Sequence, residues 1–252
     1  MAIELKSPKQ LELMREGGRI TAAALQKVLA AAVPGTPLIE LEEVAERFIL
    51  SAGGEPAFKR VPGYDFTTCL NLNEGVVHGI PDEHRLRSGD ILTVDLGTFY
   101  RGFNTDHAWT ILVGDGDGEK RKFLEVGESA LRAAIEQSRV GNCVEDISQA
   151  MEAVLREGGY TPVEVLTGHG VGRALHEDPQ IPCLVTRAGG DSHKLVEGAT
   201  LAVEVIYTAG SPELKVLPDG WTVVTADGSL AGLFEHSIAV THDGPIVLTR
   251  VG

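Results

Sequence analysis

Apolar and polar residues recur with two periods along the chain, one helical and one of strands. From Ser7 onward the spacing is helical, and Ser7, Pro8 and Gln10 have the order of an N-cap, a first-turn proline and the third residue of a capping box. The pattern predicts a helix from there to about Val33, where Pro34-Gly35 stops it. A second helix is predicted from Thr36-Pro37, with Leu38, Leu41, Ala45, Phe48 and Ile49 on one face and Gly53-Gly54 at its end. The same order returns farther along. Val140-Gly141-Asn142 opens a helix carrying Val144, Ile147, Met151, Val154 and Leu155, closed by Gly158-Gly159. At the offset that aligns Gly35 with Gly141, Ala24, Leu25 and Leu29 fall on Ala130, Leu131 and Ile135. Each helical pair precedes β-like segments. The chain therefore reads as a duplication, with halves of about 5–115 and 116–250 in one domain. The expected class is α+β, with helices packed on one face of a shared antiparallel sheet.

The strand-like segments contain carboxylates where apolar side chains are the rule. In GDILTVDLGTFYRGFNTDHAWTILVG, residues 89–114, two apolar strands flank a turn near Tyr100-Arg101-Gly102. Period-two alternation puts Asp95 on the face of Thr93, and Asp106 on the face of Ala108 and Thr110. A turn centred near Arg101 makes the two acids direct or diagonal cross-strand neighbours, which is destabilising for bare anions. The later half repeats the oddity with Glu204 inside TLAVEVIYTAG and Glu235 inside AGLFEHSIAV. Solvent-facing positions on half-exposed strands would explain one of these acids more easily than all four. Ionised carboxylates are too costly to bury unpaired, and Arg101 is the only lysine or arginine in these segments. Two divalent cations would balance four carboxylates, and oxygen-rich ligation suits Mn²⁺, Fe²⁺ or Co²⁺ better than a structural zinc site. A two-carboxylate glycosidase explains only one pair.

Composition narrows the partners. The 252 residues carry a formal charge of −14, which disfavours nucleic acid or an anionic membrane as the main partner. MAIELKSPKQ lacks the pattern of a secretory signal, and no apolar run approaches the roughly 20 residues of a spanning helix. Cys69, Cys143 and Cys183 are widely spaced, with no C-x-x-C. A reducing cytoplasm is the expected location.

GHGVGRALHEDP, residues 168–179, has neither the G-x-G-x-x-G order nor the Gly-Lys-Ser/Thr ending of a phosphate cradle. No G-x-S-x-G elbow is present for serine–histidine catalysis. Glycines beside His169 let backbone approach closely and aim the ring, and the carboxylates favour ligation over a structural role. His78, before Gly79-Ile80-Pro81, and His176, before Glu177-Asp178-Pro179, are expected at the site's edge for proton transfer or substrate contact.

HGIP (78–81), GDILTVD (89–95), GHGVGRALHEDPQIP (168–182) and DGWTVVTADGSLAGLFEHSIAVT (219–241) together resemble type I methionine aminopeptidase of the pita-bread metallopeptidase superfamily. The resemblance covers nearly the whole chain in the family's order. It implies the pita-bread fold of two pseudo-symmetric α+β halves. It also implies removal of N-terminal methionine from nascent chains by a metal-bound hydroxide. Carried over by position, it makes Asp95, Asp106, His169, Glu204 and Glu235 the ligands of two metal ions, with Asp106 and Glu235 bridging. Glu204 becomes the proton shuttle, His176 the histidine near the carbonyl, and His78 the one facing the peptide nitrogen. Phe58, Tyr64, Cys69, Leu175 and Trp221 correspond to the methionine pocket, whose apolar, aromatic and sulfur groups suit a thioether. The implied partners are polypeptide N-termini and possible docking on the ribosome, with the enzyme expected as a monomer.

The sequence departs from the family where Val205 replaces a usual proline, where Phe58 and Val77 stand at frequent cysteine positions, and at Asn104-Thr105-Asp106-His107. DLGTFYRGFNTD also resembles the Xaa-Pro peptidase branch, although that branch usually carries an extra N-terminal domain. A catalytically silent pita-bread binding protein is the third alternative. It predicts degraded ligands, whereas all five are present.

Overall fold

The computed structural model describes residues 3–185 and 193–251. Ser7 caps helix α1 (Pro8–Ala31) as predicted: its hydroxyl accepts from the Gln10 amide at 3.4 Å, and the Gln10 side chain accepts from the Ser7 amide at 2.8 Å. The helix ends at Ala31, short of Val33. The Thr36 hydroxyl donates back to the Ala31 carbonyl at 3.0 Å, so it serves the end of α1 and does not cap α2 (Leu38–Ser51). The first half continues through β1 (Glu55–Pro56), β2 (Thr68–Leu72), β3 (Gly75–Val77), β4 (Ile91–Tyr100) and β5 (Phe103–Leu112).

The rest of the chain again opens with two helices before its strands: α3 (Gly118–Gln137), α4 (Val144–Gly158), β6 (Thr161–Pro162), β7 (Thr167–Gly170), β8 (Glu177–Pro182) and β9 (Thr200–Thr208). It closes with β10 (Leu214–Val216), β11 (Val223–Thr225), β12 (Ala231–Thr241) and β13 (Gly244–Val247). The pairings correspond as well. β4 has β5 along one edge and β1 and β2 along the other; β9 has β12 along one edge and β6 and β7 along the other.

Each helical pair buries its apolar stripe on its own ladder. Leu25, Leu41 and Ile49 pack with Leu92 and Leu96, while Phe123, Leu131 and Met151 pack with Leu201 and Phe234. Burying each such side chain stabilises the fold by about 1.5–3 kcal/mol.

The expected sheet is built from two ladders that meet along β5 and β12. Among the described residues no backbone ladder joins these strands, and hydroxyls take its place. The Thr110 hydroxyl donates to the Leu233 carbonyl at 2.7 Å and accepts from the Leu233 amide at 3.0 Å. The Ser237 hydroxyl likewise accepts from the Asp106 amide at 2.8 Å and donates to its carbonyl at 2.9 Å. A third, small sheet of β10, β11 and β3 leads into His78 on one side and follows Trp221 on the other.

Candidate metal centre

The four misplaced carboxylates converge on this seam. Arg101 and Gly102, with φ of +48° and +94°, make the tight two-residue turn that joins β4 to β5. That turn sets the register: Asp95 faces Ala108 and Asp106 faces Gly97, so the two aspartates are diagonal neighbours. On the other ladder Glu204 and Glu235 are direct partners. His169 pairs with Ala202 on the far edge of β9, and its Nε2 lies 3.8 Å from the Glu204 carboxylate. Ligand atoms of Asp106, His169 and Glu235 lie within 4.8 Å of one another.

Glycines permit this approach. A Cβ on Gly168 would stand 2.7 Å from the Ala202 carbonyl oxygen, and one on Gly170 would stand 2.2 Å from that of Asp178. The close backbone contact expected around His169 is therefore present, and no side chain fits at either flank.

The electrostatics are those of a site with negative charge in excess. Arg101 reaches out to Glu16 at 3.8 Å on the surface, and among the described residues no lysine or arginine pairs with the four carboxylates. Burial, then the charges of Asp106 and Glu204, push Asp95 well above the usual carboxylate range. Burial raises Asp106 to about 7. Burial and Asp106 raise Glu204, and burial with the other three acids raises Glu235. One oxygen each of Asp95 and Glu235 is buried without a hydrogen-bond partner. Burial, then His176, lowers His169 to about 3, which leaves a neutral imidazole free to ligate. Unpaired acceptors, acids held close together and a neutral imidazole fit a divalent cation.

The remaining expected residues border the same cavity, of about 180 Å³. The His176 ring lies 4.4 Å from that of His169, and His78 lines the same cavity, its ring 6.4 Å from that of Trp221 and its backbone at a strained φ of +58°. Burial lowers both, so each is a neutral imidazole near pH 7. Phe58, Tyr64 and Cys69 form a buried cluster against Leu175 and Trp221, with the Tyr64 and Trp221 rings 5.0 Å apart. The Tyr64 hydroxyl donates to the Thr68 carbonyl at 2.8 Å. Val61 and Val77 also line the wall. Sequence reading did not single them out as pocket residues, and an isolated valine gives no signal for it.

Sequence reading also missed the histidines behind the carboxylates. His107 and His236 stack at 4.3 Å, and Nδ1 of His107 lies 2.5 Å from the Glu235 carbonyl oxygen. Burial holds His107 well below its ordinary value and His236 at about 4. The signal was available, because an acid–histidine dipeptide interrupts an apolar strand twice, at Asp106-His107 and Glu235-His236.

Residues 12–242 match metallopeptidase family M24. Methionine aminopeptidase 1 of Bacillus subtilis is 40% identical over 246 residues, 98% of each chain. The crystal structure of methionine aminopeptidase from Thermotoga maritima superposes with a TM-score of 0.94 at 36% identity, covering 99% of this chain and 100% of that one. The prolidase of Pyrococcus furiosus shares the fold, with a TM-score of 0.78 at 22% identity, over 98% of this chain and 66% of its own length.

Proposed function

This chain belongs to metallopeptidase family M24, and we propose that the cavity performs the reaction named in its full-length relatives, removal of N-terminal methionine from polypeptides. One observation carries the reading: a single cavity borders the carboxylates, the rim histidines and an apolar, sulfur-lined pocket.

Asp95, Asp106, His169, Glu204 and Glu235 would hold two divalent ions, whose charge would balance the four acids. Oxygen-rich ligation with one imidazole favours Mn²⁺, Fe²⁺ or Co²⁺. Such ions supply Lewis acidity to activate water and polarise the peptide carbonyl, and they anchor a free amine. Glu204, which borders the same cavity, takes a proton from water and passes it towards the leaving nitrogen. His176, at the rim beside His169, donates to the carbonyl oxygen as charge develops there. His78, in the same lining, faces the scissile nitrogen. Phe58, Tyr64, Cys69, Leu175 and Trp221 exclude water from the methionine side chain. The substrates are polypeptide N-termini, with nascent chains at the ribosome, a monomeric enzyme and a cytoplasmic location as parts of the same proposal.

The test is to chelate the protein, restore Mn²⁺ or Co²⁺, and compare Met-Ala-Ser with Xaa-Pro peptides. Methionine release that is lost in Asp95→Ala is expected. No release under any metal would overturn the reading, and cleavage restricted to Xaa-Pro peptides would move it to the other branch.

A further inference from the structure

The loop that presents His176 is tied to the start of the chain. The Lys6 amide donates to the Gly198 carbonyl at 2.8 Å, which fixes the N-terminal segment beside the entry to β9. From there the Lys6 side chain, 1% exposed, runs inward under the loop. A Cβ on Gly172 would lie 2.4 Å from Lys6 Cε, so the lysine stem occupies the space below that glycine. Lys6 Nζ donates to the Glu4 carbonyl at 2.8 Å and forms an ion pair with Glu177, whose side chain is 10% exposed. The other oxygen of Glu177 accepts from the Ala174 amide at 3.1 Å and closes the turn that contains His176. On the opposite side the Asn104 side chain donates to the Gly172 and Arg173 carbonyls at 3.0 and 3.1 Å. The loop is thus clamped between Asn104 of β5 and Lys6.

We propose that Lys6 is a positioning residue for His176. Its inward ion pair with Glu177 fixes the turn from which His176 enters the cavity. The surface pair between Arg173 and Glu4, with side chains 57% and 47% exposed, is too well solvated to set that geometry. A buried pair has no such freedom, because loosening it strands a charge away from water. The inference rests on the proposed contact of His176 with the peptide carbonyl.

The experiment is a double-mutant cycle on the metal-loaded enzyme with Met-Ala-Ser as substrate. Lys6→Met keeps the aliphatic stem and removes the charge. It is expected to lower kcat about tenfold or more, since small misplacements of a catalytic group are costly, while KM changes by less than about twofold. In a His176→Ala background the same substitution is expected to change kcat by less than about twofold, because nothing remains to be positioned. An unchanged kcat in Lys6→Met, or an equal loss in both backgrounds, would overturn the inference. If Lys6→Met does not fold, Glu177→Gln carries the same cycle, because its amide oxygen still accepts from Ala174 while the ion pair is gone. Wild-type enzyme inert towards Met-Ala-Ser would instead mark failure of the proposed function. A fully active His176→Ala would overturn the role of that histidine and the positioning role with it.

Discussion

Glu204 and Glu235 are direct cross-strand partners on β9 and β12, 9% and 3% exposed, with no lysine or arginine paired to either among the described residues. Like charges placed opposite one another weaken a sheet, so the protein alone does not balance this arrangement. The diagonal pair Asp95 and Asp106 adds to the same deficit. Folding concentrates negative charge at the seam, and a cation offsets it.

Metal binding should therefore expel protons and strengthen with pH. Asp106 is held at about 7 and the other three acids are also raised, so below neutrality the metal-free site is partly protonated. His169, at about 3, is already neutral across this range. Calorimetry of Mn²⁺ binding in buffers of different ionisation enthalpy should show more proton release at about pH 6 than at about pH 8, on either side of the Asp106 value. Affinity that is flat between these values would contradict the account.

Asp106→Asn should abolish methionine release yet stabilise the metal-free protein at alkaline pH. The folded carboxyl binds its proton at about 7, against about 3.9 in an unfolded chain. Its contribution to stability is complete below about pH 4 and is lost as pH rises to about 7. At pH 8 the variant should melt higher, by about 2–4 °C for each kcal/mol regained, and near pH 4 the gap should close. A lower melting temperature at pH 8 would refute this.

Truncating the pocket wall should damage recognition of the first residue. Phe58→Ala opens the cluster formed with Tyr64 and Cys69. Losses of about 10–200-fold in kcat/KM for Met-Ala-Ser are expected, with bulkier apolar first residues gaining relative to methionine. Steady-state kinetics across a peptide series will show whether methionine loses its advantage.

Glu42 should prove a stabilising residue of the pocket. This buried acid on α2 accepts from the Thr67 amide at 2.6 Å, the Thr68 amide at 2.9 Å and the Thr68 hydroxyl at 2.7 Å, just before Cys69. Glu42→Ala leaves buried amides unpaired and should cost about 3 kcal/mol or more, with a smaller loss for Glu42→Gln. Equal melting temperatures for Glu42→Ala and wild type would sink the idea.

What could be read in the sequence was whatever short-range rules encode. The Ser7 cap, the Gly159 stop at φ of +88° and the turn at Arg101-Gly102 are local, and with them came the helical pairs and the Asp95–Asp106 relation. Glu204 and Glu235 stood out as acids inside apolar runs and His169 as a glycine-flanked histidine; the resemblance gave them roles, and all three border one cavity with Asp95 and Asp106. Contacts between distant segments were not legible. The face-to-face register of Glu204 and Glu235 depends on a connection containing β10 and β11. Lys6 looks like any surface lysine until Gly172 and Glu177 are folded over it. Glu42 did leave a trace, because it lies beside Leu41 at the edge of an otherwise apolar stripe.

The hydroxyl-stitched junction of β5 and β12 bears on how the enzyme comes into being. Partners such as Asp106 and Ser237 are separated by 131 residues of chain, so no early folding unit can contain the complete site. A copy still under synthesis is inert until β12 has emerged and closed against β5. Afterwards, any opening between β5 and β12 pulls Asp106 away from Glu235. If the proposed metal centre is right, retention of metal gauges the integrity of the whole molecule, and its escape is an early sign of ageing in the protein.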